Sequence, residues 1–436
     1  MHSGMQLPSW LGNKAMGTNK NHITVFEHQV LRLNHEMDGV KFDAEKLKAM
    51  QTYFGEKGVP YFSLIHNGIQ FTEYVGVIQV GNLVIEVLPK ADKQETNTAK
   101  WQHILFGMLR SVGLFNIHAP SSSSLQLKSN SILDLYFELF IREIEYLLHN
   151  GLVKQYRKKE GNVTALKGNL QFGKHIQQNL THQERFFVRH TTYDVNHKFH
   201  FILYKTICLL KQINTNVNLH SRIGSLLLHF PEMPDIKVSD ATFDKLVFTR
   251  KNQSYRKAIE IARLLLLNYH PDVMKGRNHV LALMFDMNNL WEQFVYVSLR
   301  KFGKDYQSVV SQSHKYFWKP DNGNRCGMRA DIVMRTSDGR SIVLDTKWKN
   351  LNGYNPGPDD LRQMYVYHKY YYAEQVALVY PGTDTSHRSG TFLHPDDVTA
   401  TEMKCSVITI SVKTNIKMWQ ENICKSIEAW VNANGS

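Results

Sequence analysis

The chain has 436 residues, 42% hydrophobic and 21% charged, enough for two or three domains with their own cores and too apolar for a disordered protein. It carries 52 Lys and Arg against 39 Asp and Glu, a formal charge of +13, which suits a polyanion such as nucleic acid but is also reached by ordinary basic soluble proteins. No apolar run or signal-like start predicts a membrane span or export, so a cytoplasmic location is expected, and the four cysteines form no CxxC pair to suggest a zinc ribbon, iron–sulfur cluster or disulfide framework.

Residues 1–22 read as a loose tail rich in Gly, Asn and Lys. The next segment, 23–125, is expected to be β-rich. Its clearest element is a hairpin, YVGVIQV (74–80) and LVIEVLPK (83–90) joined by Gly81-Asn82, a favoured two-residue turn. A helix is predicted near 99–113, followed by a polar linker, SSSSLQLKSN (121–130). The middle region, 126–275, reads as helical and basic. ILDLYFELFIREIEYLLHNGL (132–152) has helical apolar spacing and a C-capping Gly151, and 197–213 and 255–269 are further amphipathic helices. Between them lies a Lys- and Arg-dense stretch broken by glycines, which fits either a DNA-backbone track or a solvated loop.

From 276 to 436 the order changes. A helix over LALMFDMNNLWEQFVYVSLRKFG, two strands (MRADIVM and SIVLDTKW), a helix (DLRQMYVYHKYYY) and strands QVALVYP and CSVITIS predict a compact α/β domain. The whole is therefore read as α+β and multidomain.

Three D/E-x-K triplets occur, at Asp235, Asp345 and Glu402. A lone triplet is a chance-level signal, so its context decides. SIVLDTK is a strand that puts Asp345 and Lys347 on one face. Its partner strand supplies Asp331. A two-residue turn between them would send Asp331 to the wrong face. A three-residue Ser337-Asp338-Gly339 loop, favoured by glycine in its last position, brings Asp331 opposite Asp345. Two carboxylates and a lysine so gathered suit a divalent cation, magnesium or manganese in its place, acting on a phosphodiester. Carboxylate neighbours raise a lysine pKa, so Lys347 fits water positioning and charge stabilisation better than general-base work. A surface ion pair on a hairpin is the plain alternative.

Glu292, on an apolar helix before the strands, is a candidate third acid, and Gln363 and Tyr367 form a Q-x-x-x-Y on one helix face. This order resembles the PD-(D/E)xK nucleases, above all their RecB-like branch, with Ala330 where the name-giving proline often stands. The resemblance carries catalytic roles to Asp331, Asp345, Lys347, Gln363 and Tyr367 and metal binding to Asp331, Asp345 and Glu292.

A wider likeness covers roughly 65–380. GVIQVGNLVIEVLPKAD, ALKGNLQFGKHI followed by YDVNHKFHFILYKTI, RADIVM and LDTKWK resemble segments of the McrC family, the nuclease subunits of McrBC-type, 5-methylcytosine-specific restriction systems. That resemblance implies a PD-(D/E)xK endonuclease domain, double-stranded DNA as substrate, and a separate hexameric McrB-like AAA+ GTPase whose pore receives the N-terminal domain. The chain has no phosphate-binding G-x-x-x-x-G-K-[ST], so GTP is expected on the partner and not here. The alternatives are a stand-alone RecB-like nuclease and a non-catalytic DNA-binding adaptor of the motor. His190, His197 and His200 with Asp194 form a cluster with no common zinc spacing, and Asp194 and Asn196 are expected to cap the following helix.

Overall fold

The computed structural model describes residues 21–37, 40–90, 96–113, 132–271, 279–303, 306–351, 353, 355–396 and 398–433. The expected tail up to residue 20 and the linker 121–130 lie outside them. The chain forms two compact units, one of residues up to 126 with 284–436, the other of 127–283.

In the first unit a six-stranded mixed sheet runs in the order Tyr306–Trp318, Cys326–Thr336, Ser341–Thr346, Gln375–Gly382, Ala400–Ser411, Ser386–Leu393. The first three strands are antiparallel, Ser341–Thr346 pairs in parallel with Gln375–Gly382, and that strand with Ala400–Ser411. A parallel step needs a crossover, supplied here by the helix Pro358–Tyr371, whose Met364, Tyr367 and Tyr371 pack on Val343, Val376 and Leu378. The helices Met287–Phe302 and Ile416–Ala433 pack together through Trp291 and Trp419, stacked at 5.5 Å.

The predicted hairpin is present, with Val80 opposite Leu83 and Gly81 at φ +58°, a conformation glycine adopts without strain. His22–Phe26 joins it in parallel beside Leu83–Leu88. The N-terminal segment, expected as a domain of its own, belongs to the same unit as the large sheet. The reason is a cluster of buried indoles: Trp348 meets Trp101 of the helix Thr98–Val112 edge-on at 6.2 Å and Trp291 at 5.6 Å. Burying four tryptophans among one another removes a large apolar area from water, which binds the two segments into one core.

The second unit combines helices with a β-ribbon that the sequence reading did not expect. Helices Ile132–Asn150, Lys198–Ile213, Val217–His229 and Arg256–Leu267 are there, but the basic stretch is a β-ribbon, Gln155–Val163 paired antiparallel with Phe186–Asp194 and edged by Asn169–Leu170. Most of the Gln155–Val163 side chains are exposed or half-buried, so no apolar alternation marked it as a strand. Helix capping also differs. His197, rather than Asp194 or Asn196, caps Lys198–Ile213, its Nδ1 accepting the Phe199 N–H, while Asp194 accepts from Asn196 N–H and Thr192. LALMFD belongs to a strand, Val280–Asp286, and the helix expected there begins at Met287, where the Asp286 carboxylate accepts the Asn289 N–H at 3.0 Å.

Candidate active site

The three-residue Ser337–Gly339 loop sets the site. Thr336 and Arg340 close it by backbone hydrogen bonds, Gly339 takes φ +90°, and the register that follows pairs Ile332 with Leu344. One step further, Asp331 reaches the level of Asp345. There its Oδ2 accepts both the Thr346 N–H at 2.8 Å and the Thr346 hydroxyl at 3.0 Å. Thr346 thus holds one oxygen of Asp331 in a fixed place.

Asp345 is completely buried. Its Oδ2 lies 2.7 Å from Lys347 Nζ, and its Oδ1 is buried without a hydrogen-bond partner among the described residues. Burial and then the neighbouring Asp331 carboxylate push the Asp345 carboxyl up to about 7, and burial raises Asp331 too, against its Thr346 hydrogen bonds. Burial by itself would lower Lys347, but Asp345, Asp360 and Asp331 outweigh it and hold the ammonium above its ordinary pKa. One lysine does not balance a buried and a half-buried carboxylate, so the arrangement carries a standing demand for positive charge. A divalent cation, which favours carboxylate oxygens, could answer it, with the unpartnered Asp345 Oδ1 as one available ligand.

Glu292 is close enough to feel the pair. Burial and then Asp331 push its carboxyl up to about 7, and its Oε1 accepts from the Gln312 amide. Among the described residues, however, no three His, Cys, Asp or Glu side chains stand close enough to make a finished metal cage. Asp331 and Asp345 form a two-carboxylate site with Glu292 held off by Gln312. Magnesium commonly uses one or two protein carboxylates, leaving the remaining positions to water and phosphate.

The Q-x-x-x-Y helix meets the site at Lys347. Gln363 Oε1 lies 3.5 Å from Lys347 Nζ, at the limit of a hydrogen bond, and its amide donates to Tyr367 at 2.6 Å. Tyr367 is buried and donates its proton to the Arg329 carbonyl at 2.6 Å, two residues before Asp331. Burial holds its phenol well above the ordinary tyrosine value. Gln363 and Tyr367 therefore tie the lysine to the Asp331 strand.

Three participants escaped the sequence reading. Asp360, in the first turn of that helix, lies 3.7 Å from Lys347 Nζ and 2.9 Å from Lys349 Nζ; the Asp359-Asp360 pair beside a predicted helix start was its available signal. Gln312 stands between Ser311, opposite Ile332, and Ser313, opposite Ala330, and so faces Asp331. It takes φ +55°, unusual for a residue with a Cβ. Strain of this kind persists where surrounding structure enforces it, often at functional sites. Trp348, next to Lys347, donates its indole proton to Glu27 and takes a backbone hydrogen bond to Asn288 Oδ1 at 3.1 Å.

The other candidates have structural partners. His200 is buried, with Nδ1 on the Val195 carbonyl and Nε2 2.9 Å from the Tyr255 hydroxyl. No metal-binding group forms around it, His190 and His197 among the described residues. The Asp235 triplet forms a surface pair with Lys205 instead. No helix of the described residues is long and apolar enough to cross a membrane.

No curated protein matches the chain. Among solved structures, the chain is similar to one in a half-complex from the tetradecameric assembly of Thermococcus gammatolerans McrB AAA+ hexamers with bound McrC, at 20% identity, covering 94% of this chain and 100% of that one with a TM-score of 0.70. That likeness is one of fold. A cryo-EM structure of the Thermococcus gammatolerans McrBC complex aligns at 20% identity over 66% of this chain and 89% of the other, with a TM-score of 0.49, too low to add to it. A family model described as McrBC 5-methylcytosine restriction system component matches residues 69–381, a span that includes the N-terminal hairpin and Glu292, Asp331, Asp345, Lys347, Gln363 and Tyr367. The chain belongs to the family of McrBC 5-methylcytosine restriction system components.

Proposed function

We propose that this chain is the DNA endonuclease subunit of a McrBC-like complex, hydrolysing phosphodiesters with magnesium and working with a separate AAA+ GTPase. One observation carries the chemical half of this reading: the buried Asp345 and the half-buried Asp331 stand side by side with Lys347, and Asp345 Oδ1 has no hydrogen-bond partner among the described residues. The fold supports the PD-(D/E)xK assignment, since strands carrying Asp331 and Asp345 are followed by a crossover helix carrying Gln363 and Tyr367.

Asp331 and Asp345 would hold a divalent cation, which supplies Lewis-acid charge at the scissile phosphate and acidifies a bound water. Thr346 fixes the Asp331 oxygen that is already satisfied, leaving the carboxylate oriented. Lys347, kept protonated by three carboxylates, places a positive charge where the phosphorane develops negative charge. Gln363 and Asp360 limit where that ammonium sits. Gln363 and Tyr367 act through Lys347 and Arg329 as positioning residues. The McrB AAA+ hexamers beside McrC in the similar structure support a partner of the same class for this chain. The absence of a phosphate-binding motif puts nucleotide hydrolysis on that partner.

The test separates the two activities. Asp345→Ala and Lys347→Ala are assayed with the partner for DNA cleavage and for GTP turnover on the same preparations. Cleavage falls by a factor of about a thousand or more in both, while stimulation of the GTPase persists. Full cleavage by Asp345→Ala removes the site from the mechanism.

A further inference from the structure

The strands Tyr306–Trp318 and Cys326–Thr336 are longer than the strand beside them. Ser341–Thr346 pairs only with residues 332–335, whereas the first two continue through Ser313–Ala330, His314–Arg329 and Lys315–Met328 to Trp318–Cys326. Beyond the sheet they form a two-stranded arm that leads straight out of Asp331. A two-stranded ribbon alone is marginal in water, and here the helix Pro358–Tyr371 braces it. Lys315 Nζ donates to the Tyr370 carbonyl at 2.6 Å, and Tyr370 donates to the Phe317 carbonyl at 3.3 Å. Tyr371 donates to the Ser313 carbonyl.

The outer end of this braced arm exposes three consecutive aromatic side chains. Tyr316 is 57% exposed, Phe317 45% and Trp318 58%. Around them stand Lys319, Arg325 and Arg329, all exposed, with Asp321 as the one acid between 313 and 329. The Arg325 guanidinium lies 5.7 Å from the Tyr316 ring, and Lys319 and Arg325 make no ion pair among the described residues. Exposed aromatics cost solvation and basic side chains without counter-ions cost repulsion, so a rigid ribbon that combines them needs a partner with flat apolar surfaces and negative charge. Nucleic acid has both.

We propose that this arm grips the DNA substrate beside the candidate active site, Lys319, Arg325 and Arg329 on phosphates and Trp318 against sugars and bases, while Phe317 packs on Tyr370. The idea rests on the nuclease reading and adds to it a place for the duplex. Five residues separate Asp331 from Cys326, about 16 Å along a strand, which matches the axial rise of about five base pairs. The arm is therefore long enough to reach phosphates several base pairs from the one that is cut.

The experiment uses the full chain with a fluorescent duplex in Ca²⁺, so that binding is read apart from cleavage, together with Mn²⁺ calorimetry and GTPase stimulation of the partner. Trp318→Ala weakens DNA binding about tenfold or more. Lys319→Ala and Arg325→Ala each lower the slope of log affinity against log salt by about one. Mn²⁺ binding is unchanged in all three, since none touches Asp331 or Asp345. DNA affinity and salt slope equal to wild type in these variants overturn the proposal, and loss of GTPase stimulation without loss of DNA affinity assigns the arm to a protein partner instead. Asp345→Ala serves as the control for the reading beneath it: retained cleavage there sinks the nuclease site and leaves the arm's DNA affinity as a separate result.

Discussion

The Trp348 indole donates its proton to Glu27 Oε1 at 2.9 Å, joining residues 321 positions apart in the chain. The same oxygen accepts the Lys90 N–H at 2.7 Å, so a buried carboxylate links the LPK end of the N-terminal hairpin to the residue after the candidate catalytic lysine. Burial pushes the Glu27 carboxyl up to about 7 against those hydrogen bonds.

A raised carboxyl favours folding while protonated. Its contribution is fully present below the unfolded value near 4.5 and is lost as pH rises through about 7. Glu27→Gln keeps an acceptor for both donors and cannot ionise. Thermal unfolding of the variant and the wild type should therefore nearly coincide at pH 5, with the variant melting higher at pH 8. A variant that melts lower at both values shows that the charge itself is what Trp348 requires.

Removing residues 1–120 is expected to damage the nuclease part, because Trp101 and Glu27 leave Trp348 with an uncovered face and an unpaired indole N–H. An exposed apolar patch and a lost buried hydrogen bond each cost on the order of 1–3 kcal/mol. Cooperative unfolding and dispersity of the truncated protein check this. A monodisperse fragment with the full chain's melting temperature contradicts the shared core.

Gln312→Gly separates strain from function. Glycine takes φ +55° freely, which relieves about 1 kcal/mol, while the hydrogen bond to Glu292 is lost. The relieved strain is offset by glycine's larger unfolded-state entropy and the lost hydrogen bond, so stability stays equal or falls slightly, and DNA cleavage drops as Glu292 is released beside Asp331. Unchanged cleavage would make Gln312 a feature of the strand alone.

Asp345→Asn removes a buried charge that lies beside the like charge of Asp331. In EDTA the variant should unfold at a higher temperature than the wild type, by an amount equivalent to roughly 1–2 kcal/mol. Adding Mn²⁺ should stabilise the wild type and leave the variant nearly unmoved. Equal stabilisation of both by Mn²⁺ places the cation elsewhere. If the proposed nuclease site is right, cleavage should need Mg²⁺ or Mn²⁺ and stop in excess EDTA, with Ca²⁺ supporting binding only; cleavage that persists in EDTA contradicts it.

The lowered pKa of His200 is expected to make the second unit acid-sensitive. Burial lowers its pKa and His197 lowers it further, against the hydrogen bond to Val195, so the folded state holds it neutral. A depressed histidine contributes stability above its unfolded value of 6.5, and that stability is lost as pH falls below it. His200→Phe abandons the Val195 and Tyr255 partners and lowers stability at every pH, yet the decline between pH 7 and 5 becomes shallower. An unchanged slope assigns the acid sensitivity to other groups.

The sequence by itself determined what local rules govern. Glycine at 339 chose the three-residue loop, the loop chose the register, and the register brought Asp331 level with Asp345. Spacing of four put Gln363 and Tyr367 on one helix face, and the Gly81-Asn82 turn fixed the N-terminal hairpin. The tertiary structure alone decided the rest. The ribbon Gln155–Val163 is exposed on one face and at most half-buried, with largely polar residues, on the other, so apolar alternation, which records burial, had little to record. Trp348 and Glu27 meet only after 321 positions of chain have closed, and their residue types carry no mark of that meeting. Gln312 acquires its left-handed backbone from the strand opposite Asp331 and its hydrogen bond from a helix before it, and Asp360 becomes a third charge on Lys347 only once the crossover helix docks. Local pattern reports which side of an element is buried; what it is buried against depends on how distant segments close, and that is set by packing.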